Sequence, residues 1–99
     1  MPSIPPPYAA TVAAVADADI AIFDGDCIFF GGCFTSTGAM TIKIYDNNSA
    51  ATGDLIYQVT LAANESANYR IPGGVSCTTG IYVDLSGAGT HVGSVFYGA

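Results

Sequence analysis

Half of the acidic side chains of this 99-residue chain, Asp17, Asp19, Asp24 and Asp26, fall within one ten-residue stretch. Clustered carboxylates are what a hard cation such as Ca²⁺ requires, because it takes about six to eight oxygen ligands. The spacing is not that of an EF-hand loop, since Ile20, Ile22 and Phe23 part the two pairs. Turn-capping or solvated aspartates are therefore expected, with no bound metal required. His91 is the only histidine, so any acid–base or nucleophilic arrangement has to be built around it. Ser94 lies three residues on and, in a strand, points to the opposite face. Cys77 is compatible with a neighbouring strand, but no third residue can be named to orient such a pair. His91 reads as a structural strand histidine, and no catalytic residue is assigned.

Cys27, Cys33 and Cys77 are an odd number and too few for a disulfide framework. A four-ligand zinc site would need all three plus His91, at spacings that no zinc motif uses. The cysteines read as small buried hydrophobes in a reducing cell, the alternative being one late disulfide in a particle released from the cell. Gly87-Ala88-Gly89 followed by Gly93 has the wrong spacing for a dinucleotide fingerprint and reads as a hairpin turn. Asn47-Asn48-Ser49 and Asn64-Glu65-Ser66 match the glycosylation sequon, as chance matches in polar loops. No cofactor is expected. Tyr8, Tyr45, Tyr57, Tyr69, Tyr82 and Tyr97 outnumber the two strong cations, Lys43 and Arg70. Tyrosines suit interfaces or stacking on sugars, and equally the core and rim of a sandwich.

Such residues must be positioned by a small frame. A chain of 10.1 kDa forms one domain. Its folded monomer has a surface of about 5,300 Å², or one charged side chain per roughly 530 Å², well below the usual density. With 51% hydrophobic residues and a mean hydropathy of +0.44, other strongly polar groups do not make up the difference. A surface of this kind is expected to be covered in part by other protein. The net charge of −6 excludes a nucleic-acid binder, which needs several basic groups on one face, and disfavours an anionic membrane surface. Asp17 and Asp19 interrupt the one long apolar run, from Ala9 to Phe23, so no membrane span is expected. The start, Met-Pro-Ser-Ile-Pro-Pro-Pro, lacks a positive n-region, and folding in a cytosol is expected.

Pro2, Pro5, Pro6 and Pro7 are expected to keep residues 1–7 extended as an arm, the alternative being a disordered tail. From Tyr8 onward the pattern has period two and is punctuated by turn residues. Strands are expected at Ile20–Phe23, Cys27–Thr35, Met40–Tyr45, Leu55–Leu61, Ala67–Ile71, Thr79–Leu85 and Thr90–Tyr97, and Tyr8–Val15 is expected as a strand or as extended arm. Gly31-Gly32 predicts a bulge or a close backbone approach, and Pro72-Gly73-Gly74 a turn. Leu55, Tyr57, Val59 and Leu61 form one face of their strand. Met40, Ile42, Ile44, Val59, Ile81 and Val83 are expected to line the core, with Leu85 inward beside them. The whole, residues 8–99, is expected to be an all-β, antiparallel β-sandwich of jelly-roll type with an extended N-terminal arm.

Residues 32–97 carry a resemblance. They run Gly-Cys-Phe-Thr-Ser-Thr-Gly at 32–38, Met-Thr-Ile-Lys-Ile-Tyr-Asp-Asn at 40–47 and Tyr69-Arg70-Ile71-Pro72. Gly80-Ile81-Tyr82-Val83-Asp84, Ser86-Gly87-Ala88-Gly89 and a closing Val95-Phe96-Tyr97 follow. In that order they resemble a group of small tailed-bacteriophage virion proteins. The resemblance implies a non-enzymatic sandwich that decorates or cements capsids, or forms a head or tail appendage, often as a homotrimer. Its partners would be other copies of itself and a major capsid or other virion protein, and its place the virion, after folding in the host cytoplasm. The arm residues Ile4, Pro5, Pro6, Pro7 and Tyr8 are expected at the interface. A receptor- or glycan-binding knob, using the tyrosines and the loops at 46–53 and 62–66, is the alternative.

Overall fold

The computed structural model describes residues 11–15, 18–87 and 89–98, the first five by their backbone alone. The arm at 1–7, with Ile4, Pro5, Pro6 and Pro7, lies outside the described residues, as does Tyr8. Eight strands form: β1 (Thr11–Val15), β2 (Ile20–Asp24), β3 (Cys27–Ser36), β4 (Met40–Asp46), β5 (Asp54–Leu61), β6 (Glu65–Cys77), β7 (Gly80–Gly87) and β8 (His91–Gly98). No helix occurs among the described residues. The strands make two four-stranded antiparallel sheets, ordered β1-β8-β3-β6 and β2-β7-β4-β5. The sheets pack face to face as a β-sandwich.

Period-two alternation explains which side chains meet between the sheets. Phe29, Phe34 and Val95 come from the first sheet; Met40, Ile42, Ile44, Leu61, Ile81 and Val83 come from the second. Of the expected core, Val59 is only half-buried, and like Leu85 it packs at the margin of the buried cluster. Only β4 and β5 are consecutive neighbours within one sheet; the other connections pass between sheets. Strands β7 and β8 accordingly form no hairpin, and Gly87 and Gly89 belong to a crossing between the sheets. That crossing is tied to the β3–β4 crossing: the Thr37 N–H donates to Thr90 O at 3.0 Å, and the Thr90 N–H donates to Thr37 Oγ1 at 2.8 Å.

Three irregularities interrupt the register: one lies in β2 between Ala21 and Phe23, and the other two decide where residues of the expected strands face. The first of these two lies in β3 between Phe29 and Gly31, where Gly31-Gly32 predicts one, and it shifts the register against both neighbours. On the β6 side Phe29 pairs with Val75 and Gly31 with Arg70, so residues 71–74 bulge out opposite Phe30. Pro72-Gly73-Gly74 therefore does not end a short strand, as its composition predicts. It is a wide bulge inside a strand that continues to Cys77. Gly73 and Gly74 take φ of 81° and 75°, which glycine adopts without a Cβ penalty, and proline's missing donor is tolerated because β6 is an edge strand. The bulge also reverses the phase of β3. Cys27 and Phe29 face inward before it, Phe34 and Ser36 after it, which leaves Cys33 on the outer side.

The second of these two irregularities pairs Ile44 with Tyr57 but Tyr45 with Leu55, making Ile56 the extra residue. Leu55, expected on one face with Tyr57, Val59 and Leu61, is 47% exposed, and Ile56 packs against the core.

Candidate functional site

Asp19 and Asp24, two of the clustered acids, do not converge. Asp17 lies outside the described residues. Asp19 Oδ1 accepts the Leu85 N–H at 2.7 Å, while Asp24 Oδ1 accepts from Asn48 Nδ2 at 2.9 Å. Those two positions sit at opposite ends of β2, about 15 Å apart on an extended chain. Among the described residues no group of three or more His, Cys, Asp or Glu is placed to hold a metal ion. Asp19 instead neighbours Asp84 of β7. Burial pushes the Asp84 carboxyl up, the Asp19 carboxylate adds to the rise, and Lys43, its cross-strand partner on β4, works against it.

Among the described residues the acid with most hydrogen bonds is Asp46, which by sequence falls only in a polar loop. Asp46 ends β4, and its carboxylate accepts the N–H groups of Thr78 (3.1 Å), Thr79 (2.9 Å) and Gly80 (3.2 Å), together with the Thr78 hydroxyl (3.4 Å). It thereby holds the turn between β6 and β7. Burial pushes its carboxyl up, but the donors from Thr79, Thr78 and Gly80 outweigh this and leave it below its ordinary value. A depressed folded-state value stabilises fully above the ordinary carboxylate range and is lost as pH falls through the folded value. Asp46→Ala is expected to lower stability by about 1–2 kcal/mol at neutral pH. In thermal melts its deficit relative to the unaltered protein should shrink as the pH is taken towards about 2. A deficit of constant size would contradict this assignment. No sequence signal marks Asp46, because its donors lie more than thirty residues away.

His91 is fully buried, its ring 5.4 Å from that of Phe34 and tilted by 37°. Its register partner on β3 is Ser36, whereas Cys77 pairs with Cys27 at the other end of that strand. Those positions are about 30 Å apart at the rise of an extended chain. Ser94 alternates to the outer side of β8, so neither candidate nucleophile reaches the imidazole.

The tyrosines divide. Tyr57 of β5 and Tyr69 of β6 stack with ring centroids 4.0 Å apart, closing one side of the sandwich where an edge strand of each sheet meets the other. Tyr57 also packs against Phe29 and Phe34, and burial, followed by Tyr69, pushes its phenol up. Tyr97 lies against Phe23 at 5.3 Å. Tyr45 and Tyr82 are register partners in the second sheet, half-buried and opposite in phase to the buried Ile81 and Val83.

Four strands are edges, each with one side unpaired by another strand among the described residues. Strands β1 and β6 border one sheet, and β2 and β5 the other. Free edges are ordinarily guarded by lysines, inward charges, proline or bulges; β5 and β6 each carry a bulge and β6 carries Pro72, but charge is sparse on all four. Here Lys43 lies in the interior strand β4, and Arg70 in β6 is the one basic residue on an edge strand. Strand β1 has no charged residue, and Asp24, Asp54 and Glu65 stand at the ends of β2, β5 and β6. Ile20 on β2 is 37% exposed and Leu55 on β5 is 47% exposed. Among the described residues no helix is long and apolar enough to cross a membrane. No protein-family model, no curated protein and no solved structure matches the chain.

Proposed function

We propose that this chain is a non-enzymatic structural protein of a virion: a capsid decoration or cement protein that binds the assembled head and stabilises it as a homotrimer. The observation that carries the reading is the set of edge strands, whose backbone donors and acceptors are nearly unguarded by charge. Cyclic symmetry lets such edges meet their counterparts and close. The strand order β1-β8-β3-β6 against β2-β7-β4-β5 supports reading the sandwich as a jelly roll, an arrangement used by viral capsid and lectin domains. The resemblance of residues 32–97 to small phage virion proteins supports the particle as its place, reached after folding in the host cytoplasm. The separation of His91 from Cys77 and Ser94, and the use of Asp19, Asp24 and Asp46 as structural acceptors, support a non-enzymatic reading.

The partners are other copies of the chain and a major capsid or other virion protein, with residues 1–8 as an anchor that is cheap to order because proline pre-extends it. Imaging the intact particle tests this, with density for the chain expected on the head lattice. Density only at a fibre or tail tip would overturn the decoration role and favour a receptor- or glycan-binding knob. Deleting Met1–Pro7 is expected to leave the melting behaviour unchanged and to weaken binding to particles that lack the protein. Undiminished binding would remove the arm from the interface.

A further inference from the structure

Cys27 and Cys77 are direct register partners on the antiparallel strands β3 and β6. Both face the core, at 6% and 2% exposure, and both are free thiols. Opposed residues on such strands have Cα atoms about 4.5 or 5.5 Å apart, depending on the kind of pair, and a disulfide accepts about 4.4–6.8 Å. The third thiol does not compete. Cys33 lies six residues along β3, about 20 Å away, and on the outer side of the strand because of the bulge at Phe29–Gly31.

The position of the pair gives a bond there a purpose. Beyond the bulge at residues 71–74, the end of edge strand β6 is held to β3 by three register pairs only: Val75 with Phe29, Ser76 with Ile28, and Cys77 with Cys27. A covalent link at the last of them fixes the part of the sheet that the bulge separates from the rest.

We infer that Cys27 and Cys77 form an intramolecular cross-strand disulfide when the protein meets a small-molecule disulfide oxidant, locking the end of β6 to β3. The two thiols lose two protons and two electrons to form one S–S bond, and one oxidised glutathione takes them up to become two reduced glutathiones. Burial pushes both thiols up, Cys77 to about 12, so the thiolate that starts the exchange is scarce while this end stays closed. The bond therefore forms slowly in the folded protein and faster during folding or local opening.

The test is oxidation of the full chain by oxidised glutathione, both folded and during refolding, followed by alkylation and mass measurement. The expected product has lost two hydrogens and retains one alkylatable thiol. Trypsin, cutting after Lys43 and Arg70, should leave residues 1–43 joined to residues 71–99. The Cys33→Ser variant should give the same linked pair, and oxidation should raise its melting temperature by about 8 °C or more. In Cys77→Ala that rise should vanish. The inference is overturned if Cys27 and Cys77 stay alkylatable after refolding in oxidant, or carry glutathione, or link separate chains. The mass readout on the unaltered sequence decides the matter even where a variant does not fold.

Discussion

Ile42→Asp is expected to abolish folding. Ile42 is fully buried on β4, an interior strand, between its register partners Val59 of β5 and Leu85 of β7. The substitution forfeits the burial of an isoleucine, about 1.5–3 kcal/mol, and adds several kcal/mol for a carboxylate without a partner in an apolar core. A domain of this size has about 5–15 kcal/mol of stability in all. Circular dichroism and thermal melts should show no cooperative transition. Ile42→Val, which removes one methylene, should fold and lose about 0.5–1.5 kcal/mol. A cooperative melt of Ile42→Asp within a few degrees of the unaltered protein would mean that β4 does not run through the core.

Gly31→Ala carries the second large effect. Gly31 holds φ at +128°, which side chains rarely adopt, and a Cβ there would lie 2.1 Å from Tyr69 O and 2.9 Å from Arg70 Cα. Both are backbone atoms of the paired strand β6, so no flexible side chain can yield. Backbone strain and overpacking together should cost at least about 3 kcal/mol, lowering the melting temperature by about 12 °C or more. Gly73→Ala is the control. Its φ is +81°, but nothing lies within 4 Å of the added Cβ, so it bears the left-handed penalty alone, about 1–2 kcal/mol. Equal losses from the two would show that the close approach of β3 and β6 is not what fixes Gly31.

These positions mark where sequence reading succeeds and where it stops. Met40-Ile42-Ile44 and Ile81-Val83 alternate without interruption, so their strands and inward faces are legible from period two alone. Where a bulge resets the period, local pattern misleads. Leu55 has the same parity as Tyr57, yet the extra residue Ile56 turns it outward. Pro72-Gly73-Gly74 has the composition of a turn, and only the register of Phe29 and Gly31 shows it to be a bulge. Gly87-Ala88-Gly89 looks like a hairpin because sequence does not tell which sheet the next strand joins. The same limit applies to chemistry. Asp19 and Asp24, close in sequence, part company once β2 is extended, while Asp46 gathers donors from a turn that begins at Thr78.

The central claim is that the edges of this sandwich are made to be covered by copies of itself, and the mass of the purified protein in solution tests it most directly. Light scattering at micromolar concentration should report a small multiple of 10.1 kDa, with three copies the number that the resemblance of residues 32–97 implies. A clean monomer of 10.1 kDa, stable and soluble with its edges bare, would contradict it.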